Sequence, residues 1–268
     1  MNIPTPAPLL LRHDYGAVRH FILNQPVSRN CLSVAMLAAL QAALDQAGAD
    51  KAVRAIVLSG HGPAFCAGHD LKELTAHRAD ADKGARFFKS TMRQCSALMQ
   101  SITALPQPVI AAVEGIATAA GCQLVATCDL AMAGEHASFC TPGVDIGLFC
   151  STPMVALSRN VPRKAALGML LTGDKIGAAE AMRIGLVNQV CGAGGAVEVA
   201  LALARRIAAK PRQTVANGKK AFYAQAEMNL SSAYDQTGAI MAQCLLGADA
   251  CEGIGAFLQK RQPNWTHD

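Results

Sequence analysis

The pattern of apolar and polar positions divides the chain near residue 150. Before it, short apolar runs rich in β-branched residues alternate with stretches of helical spacing; beyond Pro153, helical spacing dominates. Leu9 to Leu11 and Val18 to Leu23 read as two strands joined at Asp14-Tyr15-Gly16, an antiparallel hairpin closed by Asn24-Gln25-Pro26. Ser33 stands where an N-cap belongs, ahead of Met36, Leu37, Leu40 and Leu44, with Gly48 expected just past the helix end. Ala55 to Ser59 has the composition of a buried strand and runs into the loop Gly60-His61-Gly62-Pro63. Thr75 to Lys83 is polar and reads as a mobile surface segment; a helix follows from about Gly84 to Ile102, stopped by Pro106 and Pro108. Leu130 to Ala133 and Ser138 to Cys140 are further strands, and Thr141 to Thr152 is a loop. Helical spacing then runs over 153–171, 178–184, 197–208, 215–226 and 231–260. This alternation is that of an α/β fold with a mostly helical C-terminal third, and no repeat at solenoid spacing interrupts it.

Two stretches stand out. Val109 to Asp129 passes from an apolar strand through Gly115, Ala117, Ala119, Ala120 and Gly121 into an apolar helix. Such a turn exposes backbone N–H at a helix N-terminus, aimed at an anion or a developing oxyanion. Tight packing of helix on strand explains the small residues equally well, and the segment alone leaves both open. Ala64 to Leu74 repeats the strand, small-residue turn and helix.

The totals narrow the class. With 268 residues, 51% hydrophobic and 16% charged, the chain can bury a sizeable core and is not expected to be disordered. The low charge and 4% aromatic content hint at surface buried between subunits. The net charge of +5 is spread without a Lys/Arg block, so no nucleic-acid partner is expected, and a phosphate-bearing small molecule suits the balance. Ten scattered cysteines show no CxxC pair and no zinc spacing, so no metal is expected and a reducing cytoplasm is the simplest home. The N-terminus lacks a basic region followed by a long apolar segment, so no signal peptide is expected. No apolar stretch is long enough to span a bilayer, which leaves a soluble protein without a membrane partner as the expectation.

Taken with AIVLSGHG before it and PVIAAVEGIATAAGCQLVATCDLAMA after it, AFCAGHDLKEL resembles the crotonase superfamily, the enoyl-CoA hydratase/isomerase family. NQPVSRNCLS, LTGDKIGAAEAMRIGLVNQV and EGIGAFLQKRQPNW extend the likeness over nearly the whole chain, in the expected order. The resemblance implies an α/β, crotonase-like spiral core of repeated ββα units over residues 1–200, with a C-terminal helical trimerisation region over 201–268 that forms a homotrimer or a dimer of trimers. It implies acyl-CoA thioesters as substrates, with coenzyme A present only as part of the substrate and no tightly bound cofactor. It further implies a lyase or isomerase of fatty acid metabolism. By motif, the oxyanion donors fall on the backbone N–H groups of His69 and Ala120. CoA contacts fall on Arg29, on the main chain of Ala64, Cys66, Ala67 and Gly68, and on Phe257 and Lys260, the last two in reach of a neighbouring subunit's ligand in such an assembly. Without the resemblance, Arg29 and Lys260 read as ordinary solvated charges.

The sequence departs from its family where hydratases of that family carry two glutamates that position and activate water. One position holds Gln123 and the other Gly143. Gln orients water but exchanges no proton near neutral pH, and Gly offers no side chain. A third position, Asp in isomerases and a dehalogenase of the superfamily, falls on Ser151, beside Cys150. Asp145 shares a face with position 143 if that segment is extended, and only then could replace the lost carboxylate. Glu114 is the other nearby carboxylate. The expectation is an enoyl-CoA hydratase-like enzyme with substituted side chains. The alternatives are an isomerase, decarboxylase or thioesterase acting on an acyl-CoA, and a non-catalytic acyl-CoA binder.

Overall fold

The structure, a computed structural model, describes residues 7–265. The expectation of no signal peptide rests largely on residues 1–6, outside the described residues. β1 (Leu10–Tyr15) and β2 (Val18–Leu23) form the expected hairpin. β1 reaches Tyr15 because it is an edge strand whose His13 to Tyr15 face solvent and carry no apolar signal. In α1 (Val34–Ala49), Met36 N donates to Ser33 Oγ at 3.2 Å and Val34 N to the Glu73 carboxylate at 3.0 Å. Gly48 lies inside the last turn rather than past it, because a Cβ there would stand 2.7 Å from Leu105 Cδ2.

β3 (Ala55–Gly60), β4 (Ala64–Cys66), α2 (Leu71–Ala76) and α3 (Ala85–Ala104) come next. The stretch read as mobile, Thr75 to Lys83, is folded: α2 ends in it and a 3-10 turn follows over His77–Ala79. His77 there pairs with Asp80 at 2.8 Å and stacks on Phe87 with ring centres 3.5 Å apart. β5 (Val109–Val113), β6 (Ile116–Thr118), α4 (Ala120–Thr127), β7 (Leu130–Gly134) and β8 (Ser138–Cys140) match the predicted strands and turn. The remaining elements are α5 (Ser151–Asn160), α6 (Arg163–Thr172), β9 (Ile176–Gly177), α7 (Ala178–Arg183), β10 (Gln189–Cys191), α8 (Ala196–Ala208), α9 (Arg212–Ala226), α10 (Leu230–Leu245) and α11 (Ala248–Leu258). Helical spacing concealed two breaks: Pro162 separates α5 from α6, and Leu246-Gly247 bends α10 from α11 by 70°.

The strands build a six-stranded sheet, β1-β2-β3-β5-β7-β10, and a four-stranded one, β4-β6-β8-β9. All pairings are parallel except β1 with β2 and β8 with β9. Successive units β3-β4-helix, β5-β6-α4 and β7-β8-helix each add one strand to each sheet, a repeated ββα pattern. Ile56, Leu58, Val109 and Ala111 pack inward with α1, α3 and α4, while Val57, Ile110, Ala112 and Met132 face Ala196, Ala200 and Ala204 of α8. Burial on both faces explains why β3 and β5 read as unbroken apolar runs. Residue 200 falls inside α8, whose small side chains lie flat on the sheet.

The last three helices are attached differently. α9 has no buried residue, yet Lys219 Nζ reaches Asp129 Oδ2 at 2.7 Å, Ile102 O at 2.8 Å and Gln107 O at 2.9 Å. Tyr223 OH donates to Asp129 Oδ1 at 2.8 Å, and Asp129 Oδ2 also accepts from Val109 N at 2.7 Å. Beyond this anchor, α10 and α11 expose Leu230, Tyr234, Met241, Leu245, Phe257 and Leu258, and Leu246 between them is exposed too. Among the described residues no single helix is long and apolar enough to cross a membrane.

Candidate active site

β4 pairs in parallel with β6, Ala64 opposite Ile116 and Cys66 opposite Ala117, so the turns that follow them leave the sheet side by side. Gly68, at a φ of 86°, leads into His69 and α2; Ala119 leads into Ala120 and α4. A Cβ on Gly68 would lie 3.0 Å from Ala119 Cβ and 3.2 Å from Ala120 N, and one on Gly121 only 2.1 Å from Cys66 O. The small residues therefore let α4 pack on β4 and bring the two turns together at once. Ala119 N donates to Cys140 O at 3.0 Å. The N–H groups of His69 and Ala120 donate to no group among the described residues. Ala119 sits at φ 51°, ψ −117°, a positive-φ conformation that glycine favours. Such a conformation costs an alanine about 1–3 kcal/mol and is maintained by the packing around it.

The segment from Arg29 to Leu32 clamps the first turn. Ala67 N donates to Arg29 O at 3.0 Å and Leu32 N to Gly68 O at 2.7 Å. The buried Asn30 donates to His61 O at 3.0 Å and Ala64 O at 2.8 Å, and its Oδ1 accepts from Gln25 N at 2.8 Å. Arg29 thus stands exposed, with its main chain bonded to that of Ala67. Asn30 was missed: its partners are distant in sequence, and an Asn next to Arg29 looks like any loop residue. Phe257 and Lys260, at the end of α11, are exposed and form no hydrogen bond with these residues. The His69 ring donates from Nδ1 to Leu32 O at 3.3 Å, and its Nε2 is buried without a partner. Burial pushes its pKa down, which keeps the ring neutral near pH 7.

Gln123 lies one turn along α4 from Ala120, 4% exposed, with its Oε1 buried and unpartnered. A Cβ on Gly143 would meet Leu148 O at 2.7 Å and Cys150 Sγ at 2.9 Å, so the space for a side chain at that position is already filled. The segment from Pro142 to Ile146 is a 3-10 helix, not extended, because Pro142 opens it and Gly147 closes it in the left-handed region. The argument that Asp145 shares a face with position 143 therefore fails. Its Oδ2 instead lies 3.0 Å from where Gly173 would carry a Cβ. Ser151, exposed at the start of α5, donates from Oγ to Phe149 O at 3.3 Å. Burial raises the pKa of the Cys150 thiol, and pushes that of Cys66 up to about 12, so both stay protonated. Glu114 is committed elsewhere, accepting from Ala196 N at 3.0 Å and capping α8. Among the described residues no three His, Cys, Asp or Glu side chains are grouped to hold a metal ion.

The family model described as enoyl-CoA hydratase/isomerase matches residues 13–268. The chain belongs to this family. Rattus norvegicus enoyl-CoA hydratase domain-containing protein 3, mitochondrial, is 46% identical over 250 residues, covering 93% of this chain and 82% of the rat protein. The crystal structure of an enoyl-CoA hydratase from Mycobacterium smegmatis superposes with a TM-score of 0.91 at 48% identity, covering 97% of this chain and 99% of that one. The human domain-containing protein 3 structure gives 0.91 at 44% identity, covering 96% and 100%. The mixed α/β fold is thus that of known enoyl-CoA hydratase/isomerase family members. These relatives also correct one expectation. Scattered reduced cysteines suggested a cytoplasmic protein, but the rat relative and a human one at 45% identity are named as mitochondrial. Free thiols do not distinguish these compartments, so the cytoplasmic expectation does not stand.

Proposed function

We propose that this protein binds acyl-CoA thioesters and polarises the thioester carbonyl between the N–H groups of His69 and Ala120, without the proton-transferring pair that hydration uses. The observation that carries this reading is two unspent N–H groups on adjoining turns, beside a main chain that Arg29 overlooks. Each such donor is worth about 3 kcal/mol to an oxyanion. An Escherichia coli relative, 34% identical over 244 residues, is named 2,3-dehydroadipyl-CoA hydratase, consistent with a CoA ester as the ligand. Arg29 and the main chain of Ala64, Cys66, Ala67 and Gly68 hold the CoA portion. Phe257 and Lys260 serve the same purpose for a neighbouring copy, in a homotrimer assembled through the apolar faces of α10 and α11.

On the side-chain half, Gln123 orients a polar group but takes no proton, and nothing projects from Gly143. Enolate stabilisation is retained; general acid–base catalysis is not. The test is to titrate the protein with butyryl-CoA by calorimetry, then to follow crotonyl-CoA by absorbance. Binding with a red-shifted enoyl absorbance is expected, with hydration about 10²–10⁴-fold below that of a relative bearing both glutamates. Hydration at that relative's rate, or no binding of any CoA ester, overturns the proposal.

A further inference from the structure

The N-terminus of α9 lacks the usual means of neutralising a helix start. Its N-cap is Pro211, which offers no side-chain acceptor, and no acidic residue stands in its first turn. The N–H groups of Arg212, Gln213 and Thr214 donate to no group among the described residues. Lys210 and Arg212 flank this positive end of the helix dipole, where anions are favoured and cations are not. Neither forms an ion pair among the described residues. Arg54, just before β3, joins them around a cleft of about 250 Å³ that opens to solvent, and its guanidinium donates to Lys210 O. Burial and then the nearby Arg212 pull the Arg54 pKa down, while Asp249 pulls it up. Three positive side chains thus converge on one cleft at a helix N-terminus, an arrangement that costs stability unless an anion completes it.

Gln107 lines the same cleft and is 2% exposed. Its Nε2 donates to Ala47 O at 2.9 Å and Val53 O at 3.2 Å, and neither of those residues borders the cleft. The opposite end of the carboxamide, Oε1, is therefore the end turned toward the cleft, and it has no hydrogen-bond donor. Lys219, which donates to the Gln107 carbonyl at 2.9 Å, is already paired with Asp129. A ligand that fits has to carry negative charge and still have a proton to give. We infer that this cleft binds inorganic hydrogenphosphate, with Arg54, Lys210, Arg212 and the first amides of α9 holding its charged oxygens and Gln107 Oε1 accepting from its P–OH. Sulfate has the charge without the proton, and a phosphate monoester, with a second pKa of about 6, has lost that proton at neutral pH. β3, six residues and about 20 Å long, runs from Arg54 to the Gly60 loop, so the cleft lies at the opposite end of the sheet from the His69 turn. The inference does not depend on the acyl-CoA reading.

Calorimetric titration of the full chain at pH 7.5 with phosphate, sulfate and methyl phosphate, at matched ionic strength, tests the inference. Phosphate should bind about tenfold tighter than either of the others. Arg212→Gln, at the cleft rim, should weaken phosphate about tenfold, since it removes a charge-assisted bond. Gln107→Met should bring the three anions to about equal affinity. Because that change also frees the Ala47 and Val53 carbonyls, a variant that does not fold leaves the decision to the order of the three anions and to Arg212→Gln. Saturating butyryl-CoA should leave the phosphate affinity unchanged. No phosphate binding, equal affinity for sulfate, an unchanged affinity in Arg212→Gln, or displacement of phosphate by butyryl-CoA would overturn the inference.

Discussion

At His69 and Ala120 the groups offered to a ligand belong to the main chain; at Gln123 and Gly143 they would have to be side chains. The first pair depends on where β4, β6 and α4 run, and Gly68 and Gly121 hold those elements within van der Waals contact. The second pair depends on which residue occupies each position and, at 143, on the room its neighbours leave. A main-chain donor survives substitution as long as the fold survives, which is why Ala119 and Ala120 can stand in a turn that glycine favours. A side-chain carboxylate is lost in one step. The difference teaches that binding and catalysis can separate within one site, because they are built from parts of unequal durability.

The comparison can be broken hardest at Gly121. Gly121→Ala forces a methyl onto the Cys66 carbonyl, lifts α4 from β4 and should destabilise the protein by about 3 kcal/mol, read as a lower urea midpoint, with loss of CoA-ester binding. On the side-chain half the same change is milder. Gly143→Ala meets Cys150 Sγ and the Leu148 carbonyl and should cost about 2 kcal/mol by the same measurement, while butyryl-CoA still binds. Equal costs would show that the two halves are not built differently. Ala119→Gly should sharpen the picture by releasing backbone strain, with a gain of about 1 kcal/mol after the entropy of the added glycine, seen as a raised melting temperature. A loss of stability would mean that the turn is unstrained.

The smallest effect concerns pH. Burial lowers the pKa of His69, so the folded state favours its neutral ring. Stability from this group is complete above its unfolded pKa of about 6.5 and declines as pH falls below that value, because the unfolded chain takes up the proton first. Unfolding measured from pH 7.5 to 5.5 should show this decline together with that of the buried His20, whose pKa burial pushes down to about 4, and His69→Leu should reduce the slope without abolishing it.

Much of this was legible in the sequence. β3 and β5 announce themselves as apolar runs, Ser33 as a cap, and the two small-residue turns by the spacing of Gly68 and of Ala119 to Gly121. The tight packing of helix on strand is there, since a Cβ on Gly121 would meet Cys66 O at 2.1 Å, and the Ala120 N–H beside it has no acceptor among the described residues. What escaped was governed by partners far along the chain. Asn30 binding across to Ala64, Glu114 capping α8 and Lys219 reaching Asp129 leave no periodic trace, since a polar side chain advertises its chemistry but not its destination. The 3-10 turn at Pro142 to Ile146 was hidden for a different reason. Its Pro and Gly punctuation looks like loop, yet it removes the extended geometry that the Asp145 argument needed and sets that carboxylate beside Gly173.

The packing of Cys150 into the space above Gly143 also has a historical consequence. A lineage that keeps a large side chain at 143 has no room for this thiol, and one that has settled the thiol has no room for the large side chain. Placing a glutamate at 143 therefore requires Cys150 and the Leu148 carbonyl to give way as well. Position 143 is thus coupled to its neighbours: no single substitution there can introduce a large side chain without a second change at residue 150.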